Sequence, residues 1–271
     1  AVCSKDPKKV IEEVKILGEN GFKEVILSGI HIASYGMDLD EQYELADLLE
    51  EVEKVEGIER VRIGSIDPTY FTKEVVDRIS KLKKLCPHYH LSLQSGCDKT
   101  LKRMNRRYTV EQYIDIVKNL REKIKDVSIT TDLIVGFPGE TDEDFETTLN
   151  FVKDIKLSKI HVFKYSPRKG TRAATFDDDV HGTIKEERSK AIIAADRKNE
   201  EDFAEKYVGK TVKVLFEEKV KGKEGFYSGY TENYIKVMAE SDEDISGLIL
   251  DVDIKENHTI YLEGSLVKER I

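Results

Sequence analysis

The chain has 271 residues, of which 39% are hydrophobic and 36% charged, with a net charge of −9 at neutral pH. That length allows one large domain or two smaller ones, and the charge excludes a generally basic nucleic-acid binder, so any such contact must come from a local patch. No stretch is long or apolar enough to span a bilayer, no signal-peptide pattern is visible, and Cys3, Cys86 and Cys97 fit neither a disulfide framework nor a metal-ligand spacing, so a cytoplasmic protein without membrane association is expected.

Asp6 and Pro7 predict a helix start, and Val10, Ile11, Val14 and Leu17 recur at helical spacing up to Asn20-Gly21. A strand over 22–28 leads into the loop Gly29 to Gly36. An amphipathic helix over 43–55, a strand at 61–65 and a helix capped by Thr72 follow. The strand 89–93, a short helix over 99–105 and a longer one over 110–125 precede the strand 127–135, in which Ile129 to Val135 is β-branched and apolar, broken only by Thr130, Thr131 and Asp132. An acid in such a strand must face a polar cavity or bond a neighbouring loop. Gly136 and Gly139 bracket Pro138, and Thr141 with Asp144 predicts a capped helix over 143–154. A last strand over 159–163 completes five strand–helix units, a pattern that gives a parallel sheet with right-handed crossovers. The first helix lacks a preceding strand, and one more before residue 1 would complete a six-unit partial barrel. A charged helix over 184–207 then leads to five short strands at 212–217, 225–230, 234–238, 248–254 and 259–262, which read as a small antiparallel barrel. The expected division is 1–183, a linking helix 184–207, and 208–271.

The loops after the predicted strands carry most of the polar chemistry. They hold Ser28, Gly29 and His31; Ser65 and Asp67; Gln94 and Ser95; Asp132 with Gly136 to Glu140; and Tyr165, Ser166 and Arg168. In a parallel barrel these converge on one rim, where hydroxyls, amides and glycine backbone suit a nucleoside with an amino-acid arm. No Ser–His–Asp set can be justified. His88 and His90 alternate along a strand, one of them expected to face inward, and as a metal pair they are weak. Arg106 or Arg107 either ends a helix or grips a carboxylate or phosphate. The turn Ser166 to Arg172 carries three cations in seven residues. Between Lys210 and Lys236 there are six lysines against four acids, interleaved with Phe226, Tyr227, Tyr230 and Tyr234. Cations and aromatics on a small barrel can bind RNA by phosphate contact and stacking, although Asp242-Glu243-Asp244 opposes this nearby.

Taken together, Ser28-Gly29-Ile30-His31, Leu93-Gln94-Ser95-Gly96, Met104 to Thr109, Thr131 to Thr141 and Tyr165 to Thr171 are specific in order and spacing. With them the chain resembles the methylthiotransferases of the radical S-adenosylmethionine superfamily, along essentially its whole length. The C-terminal region resembles the TRAM module that ends many of these enzymes, best in Gly229 to Tyr234. The run Gly29 to Gly36 looks most like the branch that modifies threonylcarbamoyl-adenosine in tRNA. Branches acting on isopentenyl-adenosine in tRNA or on a ribosomal protein compete with it, as does a non-catalytic RNA-binding protein.

The resemblance implies an α/β fold, a radical-SAM partial (βα)6 barrel lacking its first strand, followed by a TRAM-like barrel. It implies S-adenosylmethionine and [4Fe–4S] clusters as cofactors, with reductive cleavage of the former and insertion of a methylthio group at C2 of the adenine beside the anticodon. The tRNA anticodon stem-loop and an electron donor would be the partners. Ser28, Gly29, His31, Ser65, Gln94, Ser95, Arg106, Asp132, Val135, Gly136, Phe137 and Pro138 would then contact the cofactor. Tyr165, Arg168, Lys213, Tyr227, Tyr230 and Tyr234 would contact substrate or RNA. The CxxxCxxC loop of that family is not found in the sequence, and Cys3 is no substitute, so no catalytic or metal-binding residue is assigned and the chain as given is expected to be catalytically incomplete.

Overall fold

A computed structural model describes residues 2–39 and 43–267; Ala1 and Ile271, which bound the expected division, lie outside them. Helix α1 (Pro7–Glu19) starts where Asp6 accepts the Lys8 N–H and Pro7 fills a position that needs no donor. Strand β1 (Glu24–Leu27), helix α2 (Leu45–Val52), strand β2 (Arg60–Ile63) and helix α3 (Lys73–Ile79) follow. Strand β3 (His88–His90), helices α4 (Asp98–Arg103) and α5 (Val110–Lys123), strand β4 (Ser128–Val135), helix α6 (Asp142–Ile155) and strand β5 (Lys159–Lys164) complete the first module. The expected caps form: Thr72 opens α3, and a reciprocal capping box joins Thr141 with Asp144; a second box, Thr109 with Gln112, opens α5.

Strand β1 pairs with β2, and β3 with β4 and β4 with β5, all in parallel. Parallel bridges Val61–Leu85 and Ile66–Leu91 join the two ladders into one curved sheet in chain order. The period of two along a strand separates its faces. Val25, Val61, Tyr89, Leu91, Ile129 and Leu133 pack outward under the helices, in a core that reaches Ile192. The other face, which lines the lumen, carries Glu24, Arg62, His88, His90, Thr130 and Asp132. His88 and His90, two residues apart, therefore share the lumen face, where one inward histidine was expected.

Helix α7 (Gly182–Glu205) covers the free edge of β5. Its buried stripe is polar: Lys185, Arg188, Ser189, Asp196 and Asn199 accompany Ile192. The Ile160 N–H, on the outer edge of β5, donates to Asp196 Oδ2 (3.0 Å), which blocks that edge from further pairing. Asp196 is 5% exposed, and its other oxygen has no partner. Burial pushes its pKa up to about 7, helped by Glu200 and opposed by the Ile160 N–H and Lys159. A raised carboxyl binds its proton more tightly folded than unfolded, so this site loses stability as pH rises from about 4 to about 7. Asp196→Asn keeps an acceptor for Ile160 and removes the charge. It is expected to raise stability by about 1–3 kcal/mol at pH 8 and by little at pH 4, read from urea midpoints.

The second module contains strands β6 (Thr211–Lys219), β7 (Phe226–Thr231), β8 (Lys236–Glu240), β9 (Ile249–Asn257) and β10 (Leu262–Leu266). They close in the order β10-β8-β7-β6-β9, around Val214, Phe216, Tyr227, Val237 and Leu262. Counted from β6, this is the first-second-third-fifth-fourth order of an OB-type Greek-key barrel. Two expectations need correction. The barrel is not wholly antiparallel, because β8 and β10 pair in parallel. The fifth strand lies at 262–266 and not at 259–262, because Asn257 caps a turn in which Thr259 takes φ 69°.

The small barrel docks on the amino-terminal ends of the sheet strands. Two lumen-face arginines of β2 grip its backbone: Arg60 donates to the carbonyls of Tyr230 (2.9 Å) and Lys213 (3.0 Å), and Arg62 to those of Glu232 (2.7 Å) and Thr231 (2.8 Å). Arg62 also bonds Glu24 (2.8 Å). Burial pulls the Arg60 pKa down, since no carboxylate bonds it directly.

Candidate cofactor and substrate site

The carboxyl ends of the strands form the rim. After β1, Ser28, Gly29 and His31 are exposed and border a cavity of about 830 Å³ together with Val10, Glu13 and Tyr35. Ser65 is exposed after β2. After β3, Gln94 takes φ 77°, rare for a residue with a side chain. Two backbone bonds hold it there: its N–H donates to the Asp132 carbonyl (2.9 Å), and its carbonyl accepts the Ile134 N–H (2.9 Å). Beneath it, the Tyr108 hydroxyl meets the carbonyls of Ser92 (2.5 Å) and Leu93 (2.9 Å), which fixes the loop that bears exposed Arg106.

The turn after β4 is clamped from behind. Gly136 takes φ 68° and Gly139 φ 77°, and a Cβ on Gly136 would lie 2.3 Å from Lys185 Cγ. The Gly136 N–H donates to Glu140 Oε1 (2.9 Å). Arg188 donates to the same oxygen (2.7 Å) and to the Glu140 carbonyl (3.1 Å), and reaches Asp142 (2.7 Å). Burial raises the Glu140 pKa, against the pull of the Gly136 N–H and Arg188. On the other side, Arg103 bonds the Pro138 carbonyl (2.9 Å) and Asp178, while the Gly139 N–H donates to the Asp178 carbonyl (2.8 Å).

The rim thus brings together Ser28, Gly29, His31, Ser65, Gln94 and the backbone of Gly136 to Pro138. Other expected contacts lie elsewhere. Ser95 is 1% exposed; its hydroxyl accepts the Cys97 N–H (3.2 Å) and faces Thr148, so it supports the start of α4. The side chains of Val135 and Phe137 are buried away from the lumen, Phe137 edge-on to Tyr165 and Phe176. Tyr227 belongs to the core of the small barrel and offers no face to RNA. Tyr230 stacks on Tyr234 (4.5 Å), and Tyr234 on His88 (4.7 Å), so these rings join the modules. Arg168 and Lys213 are exposed, Tyr165 half-buried. Sequence reasoning missed Arg60, Arg62, Lys185 and Arg188; for the last two, the i, i+3 spacing with Ile192 four further on was the available signal.

Among the described residues no group of three His, Cys, Asp or Glu side chains could hold a metal ion. Cys3 is exposed and Cys86 and Cys97 are buried, so the described residues do not fit an iron–sulfur cluster. Ser28 and Gly29 offer exposed polar groups to an amino-acid arm beside the cavity after β1, whereas Gly136, Phe137 and Pro138 are buried, with the Gly136 N–H and the Pro138 carbonyl bonded within the chain.

Fold and site together define a parallel α/β half-barrel with a polar, glycine-bearing rim, joined through Arg60 and Arg62 to an OB-type barrel. The chain belongs to the Radical SAM superfamily, whose family model matches residues 4–152, and a TRAM domain matches residues 205–267. S-adenosylmethionine is the cofactor from which that superfamily is named, and its members use [4Fe–4S] clusters with it. A curated relative, "Threonylcarbamoyladenosine tRNA methylthiotransferase MtaB" of Bacillus subtilis (strain 168), is 40% identical over 268 residues, covering 98% of this chain and 59% of that protein. The "tRNA-2-methylthio-N(6)-dimethylallyladenosine synthase" of Clostridium tetani (strain Massachusetts / E88) is also 40% identical, over 264 residues, covering 97% of this chain and 58% of its own length. The chain therefore spans less than two thirds of these relatives. Among solved structures, the radical S-adenosylmethionine methyltransferase TsrM from Kitasatospora setae shares the fold, with a TM-score of 0.50 and 14% identity over 83% of this chain and 36% of that one. No described helix is long and apolar enough to cross a membrane.

Proposed function

We propose that this chain is the cofactor- and substrate-binding part of a tRNA methylthiotransferase that adds a methylthio group to C2 of N6-threonylcarbamoyladenosine beside the anticodon. The observation that carries this reading is the joining of a strained, glycine-bearing rim to a TRAM barrel on one scaffold, in a chain that aligns at 40% identity with one relative of that description. When bound, S-adenosylmethionine supplies the radical and methyl chemistry. The chain's own residues bind and orient: Ser28, Gly29 and Gln94 toward the amino-acid arm and ribose, and the turn Gly136 to Pro138 toward the adenine. Equal identity to the Clostridium tetani relative supports a second reading, action on dimethylallyladenosine. The tRNA anticodon stem-loop is the partner in both, with an electron donor and the cytoplasm as the setting.

The test is to express the full-length gene in a strain without tRNA methylthiotransferases and digest its tRNA for mass spectrometry. Methylthio-threonylcarbamoyladenosine is the expected product; the dimethylallyl product would support the second reading, and no methylthio nucleoside would refute both. In the same assay's protein, Gly136→Ala should weaken S-adenosylmethionine binding at least about tenfold, because the new methyl meets Lys185 and the residue must hold a left-handed φ. Calorimetric titration of that variant, with unchanged affinity, would remove the turn from the cofactor site.

A further inference from the structure

Below the rim, the lumen floor carries a hydrogen-bonded chain that the cofactor turn does not use and that meets the docked module only at His88, whose ring stacks on Tyr234. His88 Nε2 lies 3.3 Å from Thr130 Oγ1, Thr130 Oγ1 lies 3.0 Å from His90 Nδ1, and His90 Nε2 lies 3.5 Å from Asp132 Oδ1. His161 faces His90 at 5.9 Å between ring centres. His88, His90, Thr130 and His161 border a cavity of about 420 Å³, closed below by Tyr234 and Ile260 of the small barrel, and Asp132 stands beside it against His90. Nearer the rim, Ile26 of β1, which borders the cavity after that strand, and Phe163 of β5 are apolar lumen-face residues, 59% and 52% exposed. His90 precedes Gln94 by four residues, or ~13 Å of strand, so the floor lies about one nucleoside's length beneath the rim.

We propose that this floor is the pocket for the N6 substituent of the target adenosine, and that it selects a substituent bearing amide, hydroxyl and carboxylate groups over an apolar prenyl chain. The inference rests on the methylthiotransferase reading and assigns the residues that choose between its branches. The base would lie between Ile26 and Phe163, with its C2 edge toward the rim and its N6 group downward. Burial holds the His88 imidazole down to about 3 and lowers His90 as well, so both rings are uncharged at neutral pH and each offers one donor and one acceptor. Within the chain each ring nitrogen facing Thr130 or Asp132 is occupied. One Asp132 oxygen, the His161 ring and the Lys159 ammonium, which is bonded to Glu200 at 2.7 Å, remain to meet a ligand. An amide or hydroxyl hydrogen can reach Asp132, and a carboxylate can reach His161 and Lys159. A prenyl chain would displace water from all three and give nothing back. Sites built from polar groups reject an analogue that lacks the matching groups far more strongly than apolar sites reject an extra hydroxyl.

The test is a nucleoside titration of the 271-residue chain with its histidine ring nitrogens labelled with ¹⁵N. N6-threonylcarbamoyladenosine, N6-dimethylallyladenosine and adenosine are the probes. The first is expected to shift the His90 and His161 ring signals with an affinity about a hundredfold above the other two. Thr130→Val and Asp132→Asn, with unchanged amide spectra elsewhere, should each reduce that affinity about tenfold, and the ring nitrogen shifts report the His90 tautomer in each variant directly. Equal shifts with dimethylallyladenosine, or none with any nucleoside, would overturn the inference. The tRNA digest keeps the two readings apart. Methylthio-threonylcarbamoyladenosine in the digest with unmoved histidines defeats only the pocket assignment, whereas no methylthio nucleoside defeats the reading beneath it.

Discussion

Arg62→Ala is expected to undock the small barrel while each module keeps its own core. The Arg62 side chain is 3% exposed and Glu24 is 12% exposed, so the variant leaves a nearly buried carboxylate without its cation. It also strands the carbonyls of Thr231 and Glu232 at the interface. Breaking a buried ion pair from one side costs about 3–5 kcal/mol. Arg60→Ala should cost less, about 1–3 kcal/mol, because its bonds go to two carbonyls and no carboxylate is left unpaired. The two cores are separate, one ending near Ile192 and the other beginning at Ala204, so the loss falls on the interface. Urea unfolding of Arg62→Ala should split into two transitions, and the junction Lys206 to Lys210 should become open to protease. A single transition with the native midpoint would mean that the arginines do not hold the modules together.

These arginines show where sequence reading stops. The strands and helices of the first module were legible because their outward faces follow simple periods, as at Leu45, Leu48, Leu49 and Val52, and because Thr72, Thr109 and Thr141 announce helix starts. The lumen face follows the same period but is polar, so Arg60, Arg62 and His88 look like ordinary solvent-facing positions until the second module covers them. Helix α7 hides its buried stripe for the same reason, since Lys185, Arg188 and Asp196 carry no hydrophobic signal. The aromatic residues of the small barrel had the opposite fault. Tyr227 lies on an inward strand position, and Tyr230 and the still exposed Tyr234 stack on each other and on His88, facts that depend on barrel closure and docking. The rim was legible because glycine at a strand end and an amide beside it carry their chemistry in the chain itself. Which part of each rim residue faces the ligand was not, because Ser95 and Gln94 are neighbours and point to opposite sides of the sheet.

The second large effect is expected from Arg188→Leu. Arg188 and Glu140 are paired at 2.7 Å with side chains 6% and 2% exposed, and the pair sits directly behind the Gly136 turn. Without Arg188, the Glu140 carboxylate keeps only the Gly136 N–H, and the cost at pH 8 should be about 3–5 kcal/mol. The pH dependence follows from the direction of the Glu140 shift. Its folded pKa already stands above the ordinary value because of burial, and Arg188 is among the groups that restrain it. Removing that restraint raises it further. A carboxyl raised in the folded state contributes stability below its unfolded pKa and loses it as pH climbs through the folded one. The variant should therefore recover part of its loss when the pH is lowered from 8 toward 5, more than the wild type gains over the same range. Glu140→Gln with Arg188→Leu removes the unpaired charge and should be more stable at pH 8 than Arg188→Leu alone, which urea midpoints at the two pH values can measure. If the double variant regains stability but still binds S-adenosylmethionine weakly, the ion pair shapes the turn and does more than fill the core. Full recovery of cofactor affinity would instead confine Arg188 to packing α7 against α6.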